Sequence, residues 1–186
     1  MTKITCLTLF LTALSSCSHV SYYLTEENGY RLRNPKRFKY STPKYTSLDK
    51  GEIDTTAIYL LDSTQSMYKE EWRKRDVFCR FFSGGQVVFI SCKNVPSPGL
   101  VNNRKSGTPG YYYVDGNKIR ISMFENLNGG QIGGYFGRIL SDGNIMFYQE
   151  RPSLYYGSFG ALHRQSRKSF WEKIKVGGFK SYKPDW

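Results

Sequence analysis

The chain has 186 residues, with 27 Lys and Arg against 15 Asp and Glu, a formal net charge of +12. Its 39% hydrophobic and 23% charged residues are ordinary for a folded domain; they exclude a collagen-like chain, a coiled coil, a wholly disordered chain and a polytopic membrane protein. Aromatic residues are abundant (15 Tyr, 12 Phe and 3 Trp), whereas two His and four Cys leave little material for metal or nucleophile chemistry.

Lys3 precedes an apolar stretch from Ile4 to Leu14. A bilayer-spanning helix needs roughly 20 apolar residues, so this stretch is too short to span and fits the apolar region of a secretory signal. It runs directly into Leu14-Ser15-Ser16-Cys17: an aliphatic residue, two small residues and a thiol. This motif resembles the lipobox of bacterial lipoproteins. The resemblance implies a signal peptide over residues 1–16, cleavage before Cys17, a diacylglycerol thioether on its sulfur and palmitate-type acylation of its new amino group. Each buried methylene contributes about 0.8 kcal/mol and one chain alone binds marginally, so two or three chains would hold the protein on a membrane. No Asp follows Cys17, which favours an outer-membrane location, and the abundance of Tyr, Lys and Asn suggests a Bacteroidota source. Such a compartment is oxidising, and Cys79 and Cys92 would be its remaining thiols.

Residues 17–56 have weak periodicity. Tyr30 to Tyr40 carries five basic residues and no acid, and Pro35 and Pro43 interrupt any helix. This segment reads as a lipidated basic tether that becomes a first, irregular strand. Near anionic head groups each Lys or Arg gains about 1 kcal/mol; a merely solvated charged linker is the alternative. Nucleic acid is discounted as a partner, because a secreted lipoprotein rarely meets it.

From residue 57 to 186 the pattern is that of a β-meander domain. Ala57 to Leu61 is a short apolar strand; Asp62 to Asp76 is a short helix or a long polar loop. Three hairpins follow, each with a glycine where a tight turn needs positive φ: Gly84-Gly85 between Val77 and Cys92, Asp115-Gly116 between Tyr111 and Phe124, and Asp142-Gly143 between Gly134 and Glu150. A two-residue turn at Asp115-Gly116 sets Val114 against Asn117 and Tyr112 against Ile119. It puts Tyr112, Val114, Ile119, Ile121 and Met123 on one apolar face. The third hairpin is apolar on both sides, with Phe136, Leu140, Ile145 and Phe147 sharing one face with Arg138, so the C-terminal segment is expected to cover it. Arg164 to Lys175 reads as a short amphipathic helix ended by Gly177-Gly178, with a last strand at 179–182.

A meander of six or more strands must bury its apolar face, and closure also removes its edges. The fold class is therefore mainly β: an antiparallel meander closing into a small barrel or half-barrel, with one or two short helices. The hairpin spacing and aromatic-Gly turns resemble the lipocalin-like domains of small secreted bacterial lipoproteins over about residues 57–160.

A two-residue turn at Gly84-Gly85 sets residue 79 against residue 90, with Cys92 one pair further along the same face; a longer loop sets the two cysteines opposite each other. Cys79 and Cys92 are thus either a disulfide or two buried thiols. Enzyme chemistry has little support. His19 lies beside Cys17, and His163 with Cys79 and Cys92 has no recognised zinc spacing. Tyr156-Gly157-Ser158-Phe159-Gly160 lacks the first glycine of a nucleophile elbow. Gly129 to Gly134 precedes a strand rather than a helix, and nothing fixes the separation of Glu125 and Glu150. No cofactor or metal is expected. The leading expectation is a non-catalytic, lipid-anchored envelope protein that binds a small amphiphile in its barrel. Arg138 would pair an anionic group, or else stack on Phe147, its expected cross-strand partner, or sit at the solvated barrel end; Phe147, Tyr112 and Met123 would line the site. The alternative is an interaction protein that docks a basic, aromatic surface on anionic envelope polymers or a protein partner.

Overall fold

In a computed structural model the described residues are 20–41, 53–62, 76–93, 95–126, 130–152 and 168–186. A two-stranded ribbon, β1 (Tyr22–Leu24) and β2 (Tyr30–Leu32), leads to a 3-10 turn at Pro35–Arg37. Then come β3 (Ile58–Asp62), β4 (Asp76–Phe81) and β5 (Gln86–Cys92). One helical turn, α1 (Pro98–Val101), capped by the Ser97 hydroxyl, precedes β6 (Thr108–Asp115) and β7 (Lys118–Glu125). The last strands are β8 (Gln131–Ile139), β9 (Ile145–Pro152) and β10 (Lys168–Ile174). Strands β3 to β10 pair with their chain neighbours, all antiparallel, and β10 pairs with both β9 and β3. The meander therefore closes into an eight-stranded up-and-down barrel, and no strand of the barrel is left with an open edge.

Turn length decides which side chains face the lumen. In the β4–β5 hairpin the Phe82 amide donates to the Gln86 carbonyl, the Gly85 amide to the Phe82 carbonyl, and Gly85 takes φ +90°. That is a three-residue turn ending in a left-handed glycine. It pairs Phe81 with Val87 and Cys79 with Phe89. The β8–β9 hairpin repeats the device, with Leu140 and Asn144 closing a turn that ends at Gly143 (φ +82°). Its pairs are Ile139 with Ile145 and Arg138 with Met146. Both turns are one residue longer than a two-residue turn, and a one-residue change of register moves every side chain of an arm to the other face. The middle hairpin turns at Gly116 and Asn117, so Val114 faces Ile119 and Tyr112 faces Ile121. That shift is two residues in register, and the apolar face read from the sequence is the face that points inward.

The core has two layers. Inside the barrel lie Tyr59, Phe81, Tyr112, Ile119, Ile121 and Phe147 among others, all essentially inaccessible. Outside it, Ile58, Phe78, Val88, Ile90, Tyr111 and Phe124 form a second apolar face. The chain covers that face with its own ends: Val20, Leu32, Phe38 and Tyr40 from the N-terminal side, and Phe179, Tyr182 and Trp186 from the C-terminal side. Burial of each such side chain contributes about 1.5–3 kcal/mol.

Three expectations change accordingly. Residues 20–41 are packed cladding rather than a tether, because their apolar residues complete the outer core. Residues 168–174 form the barrel-closing strand rather than a helix. Trp171 points into the lumen, and Phe170, its neighbour, is paired with Asp62 and Met146 across the sheet. Residues 179–186 pack on β4 to β6, where the Trp186 indole donates to the Gly110 carbonyl at 3.4 Å; residues 153–167 of the segment expected to cover the third hairpin lie outside the described residues. Residues 179–182 form no strand. The segment between Asp62 and Asp76 lies outside the described residues.

Candidate functional site

Of the residues expected to hold a ligand in the lumen, Tyr112, Met123 and Phe147 are there and Arg138 is not. Arg138 is on the outer face of β8, opposite Lys118 on β7 and Met146 on β9, because the β8–β9 turn has three residues. Phe147 is therefore not its cross-strand partner.

The lumen residues pack on one another. Phe81 sits edge-on between Tyr59 (centroids 5.2 Å apart) and Tyr112 (4.9 Å). The Tyr112 hydroxyl donates to the Phe82 carbonyl at 3.0 Å, and the Tyr59 hydroxyl accepts from the Asp54 amide at 3.1 Å. Burial pushes the Tyr59 hydroxyl up to about 12. Further along, Phe89, Tyr135, Phe147 and Trp171 close a ring of aromatic contacts at 5.6–6.1 Å. The inward glycines of β8 make room for this filling. A Cβ on Gly137 would lie 2.7 Å from the Phe147 ring, and one on Gly133 would lie 1.8 Å from Glu125 Oε1. Glu125 accepts from the Gln131 amide at 2.7 Å, and burial raises its pKa. The Glu150 side chain lies outside the described residues. Leu61, Val77 and Tyr135 are the partly buried members of the lumen cluster.

Outside, β6, β7 and β8 present a basic and aromatic strip. Arg120 is paired with Tyr113 on β6 and Phe136 on β8, its guanidinium 5.9 Å from the Phe136 ring centre. Lys118 and Arg138 follow on the same face. Lys39 joins them from the N-terminal cladding, its amide donating to the Ser122 hydroxyl at 3.3 Å. Burial, and then the Arg120 charge, lower the Lys39 pKa.

Cys79 and Cys92 are not bonded to each other. Cys79 is in the lumen, where burial pushes its thiol pKa well up; Cys92 belongs to the outer cluster. The three-residue turn separates them, since it places them on opposite faces of the sheet. Among the described residues no group of three or more His, Cys, Asp or Glu is placed to hold a metal ion. Gln131 to Gly134 is already strand rather than a loop that could cradle a phosphate. Cys17, His19, Tyr156 to Gly160 and His163 lie outside the described residues.

Two buried cations escaped the sequence reading, Arg31 and Arg80, each 1% exposed. Arg31 bonds Asp185 at 2.9 Å and the carbonyls of Tyr30 and Arg104, and stacks on Trp186 at 4.4 Å. Arg80 lies among Phe82, Phe179 and Tyr182 at 3.9–4.9 Å and donates to the carbonyls of Val101 and Lys180. The available signal was a lone charge inside each apolar arm, Tyr30-Arg31-Leu32 and Cys79-Arg80-Phe81.

Comparison with protein families, curated proteins and solved structures finds no match. No helix among the described residues is long and apolar enough to cross a membrane.

Proposed function

We propose that this chain is a non-catalytic, lipid-anchored envelope protein, acylated on Cys17, that docks through its outer basic strip on an anionic envelope polymer or partner. One observation carries the reading. The aromatic side chains of the lumen occupy it, whereas Lys39, Lys118, Arg120 and Arg138 share an outer face with Tyr113 and Phe136. Clustered cations attract polyanions over about a Debye length, and the partly exposed Tyr113 adds contact area. The anchor also gives the barrel a polarity. The Val20 amide donates to the Gly130 carbonyl at 3.4 Å, at the end where the chain passes from β7 to β8. Cys17 lies three steps along the chain from Val20, a reach of at most about 11 Å. The bilayer would then face that end, and the three short turns would face away.

The test uses the full chain purified in detergent, bound to immobilised lipopolysaccharide across a salt series. Binding should fall steeply with salt, and Lys118→Ser with Arg120→Ser should weaken it about tenfold or more. Unchanged binding by that double variant would refute the docking strip. Fatty-acid labelling lost in Cys17→Ser tests the anchor separately. A second reading, a small amphiphile at the barrel mouth, draws on the partial exposure of Leu61, Val77 and Tyr135. Native mass spectrometry showing a retained small molecule would favour it.

A further inference from the structure

At the turn end of the barrel, a recess of about 340 Å³ opens between the β4–β5 turn and the C-terminal segment. Phe82, Ser83, Gln86, Ser181, Tyr182 and Lys183 are among the residues that line it. Its walls are fixed from behind. The Arg80 guanidinium stacks on Phe82 and Tyr182 at 4.9 and 4.5 Å, and the two rings lie 5.2 Å apart. Arg80 also donates to the Lys180 carbonyl, which ties the C-terminal wall to β4.

One group in this recess lacks what buried polar groups ordinarily have. Gln86 is 7% exposed, and its Oε1 is buried with no hydrogen-bond partner. An acceptor left that way is costly, and a donor brought by a ligand would relieve it. Gly84 also lines the recess, and a Cβ there would lie 2.4 Å from that oxygen. The Gln86 amide thus occupies the place that a side chain at position 84 would take, beside the recess. The remaining chemistry is consistent in kind. Ser83 and Ser181 bring hydroxyls, Phe82 and Tyr182 bring apolar ring surface, and Lys183 brings an exposed cation. No carboxylate lines the recess, and nearby Asp185 is engaged by Arg31 at 2.9 Å.

We infer that this recess binds the ring of an acidic sugar of the hexuronate class. With the Gln86 amide turned toward the recess, a ring hydroxyl donates to its Oε1, other hydroxyls meet the serines, the C–H face lies along Tyr182, and the carboxylate meets the Lys183 ammonium. The volume is at the low end of ligand pockets, about 300–1,000 Å³, which suits one sugar ring better than an extended segment. The site is at the opposite end of the barrel from Gly130 and separate from the basic strip, so it stands or falls independently of the docking reading.

The experiment is saturation-transfer NMR and calorimetry on the full chain in detergent, with D-glucuronate as probe and D-glucose as its neutral counterpart. Glucuronate should bind saturably and more tightly than glucose. Lys183→Gln, an exposed change, should reduce glucuronate affinity about fivefold, to the level of glucose, and leave glucose unaffected. Gln86→Leu should weaken both sugars about five- to tenfold while its melting temperature stays equal or rises, because it removes an unpartnered acceptor. The inference is overturned if glucuronate shows no saturable binding, if Gln86→Leu binds as well as the parent chain, or if that variant melts lower. Loss of lipopolysaccharide binding in the strip variant with glucuronate binding intact would separate the two sites.

Discussion

Replacing Arg80 with Met tests how the barrel holds its C-terminal cladding. Arg80 donates to the Val101 carbonyl at 2.9 Å, to Asn102 Oδ1 at 3.3 Å and to the Lys180 carbonyl. Hydrogen bonds from a charged donor contribute about 1.5–3 kcal/mol each, but burying the guanidinium costs several kcal/mol in return. Met would recover apolar contact with Phe82, Phe179 and Tyr182 and lift the desolvation cost. It would orphan two carbonyls at about 1–3 kcal/mol each. The expected net loss is about 2–4 kcal/mol, a large part of the about 5–15 kcal/mol typical of a domain. Urea titration measures the loss, and hydrogen exchange locates it: amides of residues 176–186 should lose protection before those of the barrel strands. Arg80→Lys should fall nearly as far, since an ammonium cannot stack flat on three rings and span two carbonyls. If Arg80→Met keeps full stability and the segment stays protected, the rings alone hold the cladding and the reasoning fails.

Three further outcomes follow from the same geometry. In the folded protein at pH 8 iodoacetamide should label Cys92 and spare Cys79, whose buried thiol resists ionisation; after unfolding without reductant both should be labelled, and resistance of both would restore a disulfide. Tyr59 is held neutral by burial up to about 12, whereas in the unfolded chain it ionises near pH 10. Its contribution is therefore fully present below about pH 10 and lost as pH rises toward 12. Tyr59→Phe should flatten that alkaline fall in a melting series. Gly137→Ala would set a Cβ 2.8 Å from the Met146 carbonyl and 2.7 Å from the Phe147 ring. Overpacking of this kind costs about 1–3 kcal/mol, so the midpoint of denaturation should drop, and an unchanged midpoint would count against a rigidly filled lumen.

The barrel was legible because its signals are local. Apolar arms around glycine turns give hairpins in series, and a series of hairpins must close or pack. The inward face of β6 and β7 was legible too, since a shift of the turn to Gly116 and Asn117 preserves parity. The faces of the other two hairpins were not. Ser83-Gly84-Gly85 and Ser141-Asp142-Gly143 read equally well as two-residue or three-residue turns, and the choice moves Cys92 and Arg138 across the sheet. The end segments were illegible for a different reason. Tyr30 to Tyr40 reads as a charged linker because its apolar residues, Leu32, Phe38 and Tyr40, have no period of their own; they match a face of the barrel that sequence spacing cannot display. Arg31 and Arg80 look like solvated charges for the same reason, since Arg104, Lys180 and Asp185, which help to hold them, lie 73 to 154 residues away.

The abundance of aromatics, which in sequence suggests ligand lining, has another use in this fold. An eight-stranded barrel is just wide enough for side chains to fill, so large rings on every strand would clash unless some strand gave way. Strand β8 gives way: its inward positions run Gly133, Tyr135, Gly137, Ile139, and the two glycines sit where the Glu125 carboxyl and the Phe147 ring lie. Glycine in a lumen can therefore signal room already claimed by a neighbour rather than room for a guest. The remaining rings go outward, where Phe38, Tyr182 and Trp186 seal a second core between the barrel and the chain's own ends. A molecule that spends its rings on two core layers has the surface left for recognition, which is why both binding proposals place the partner outside the lumen.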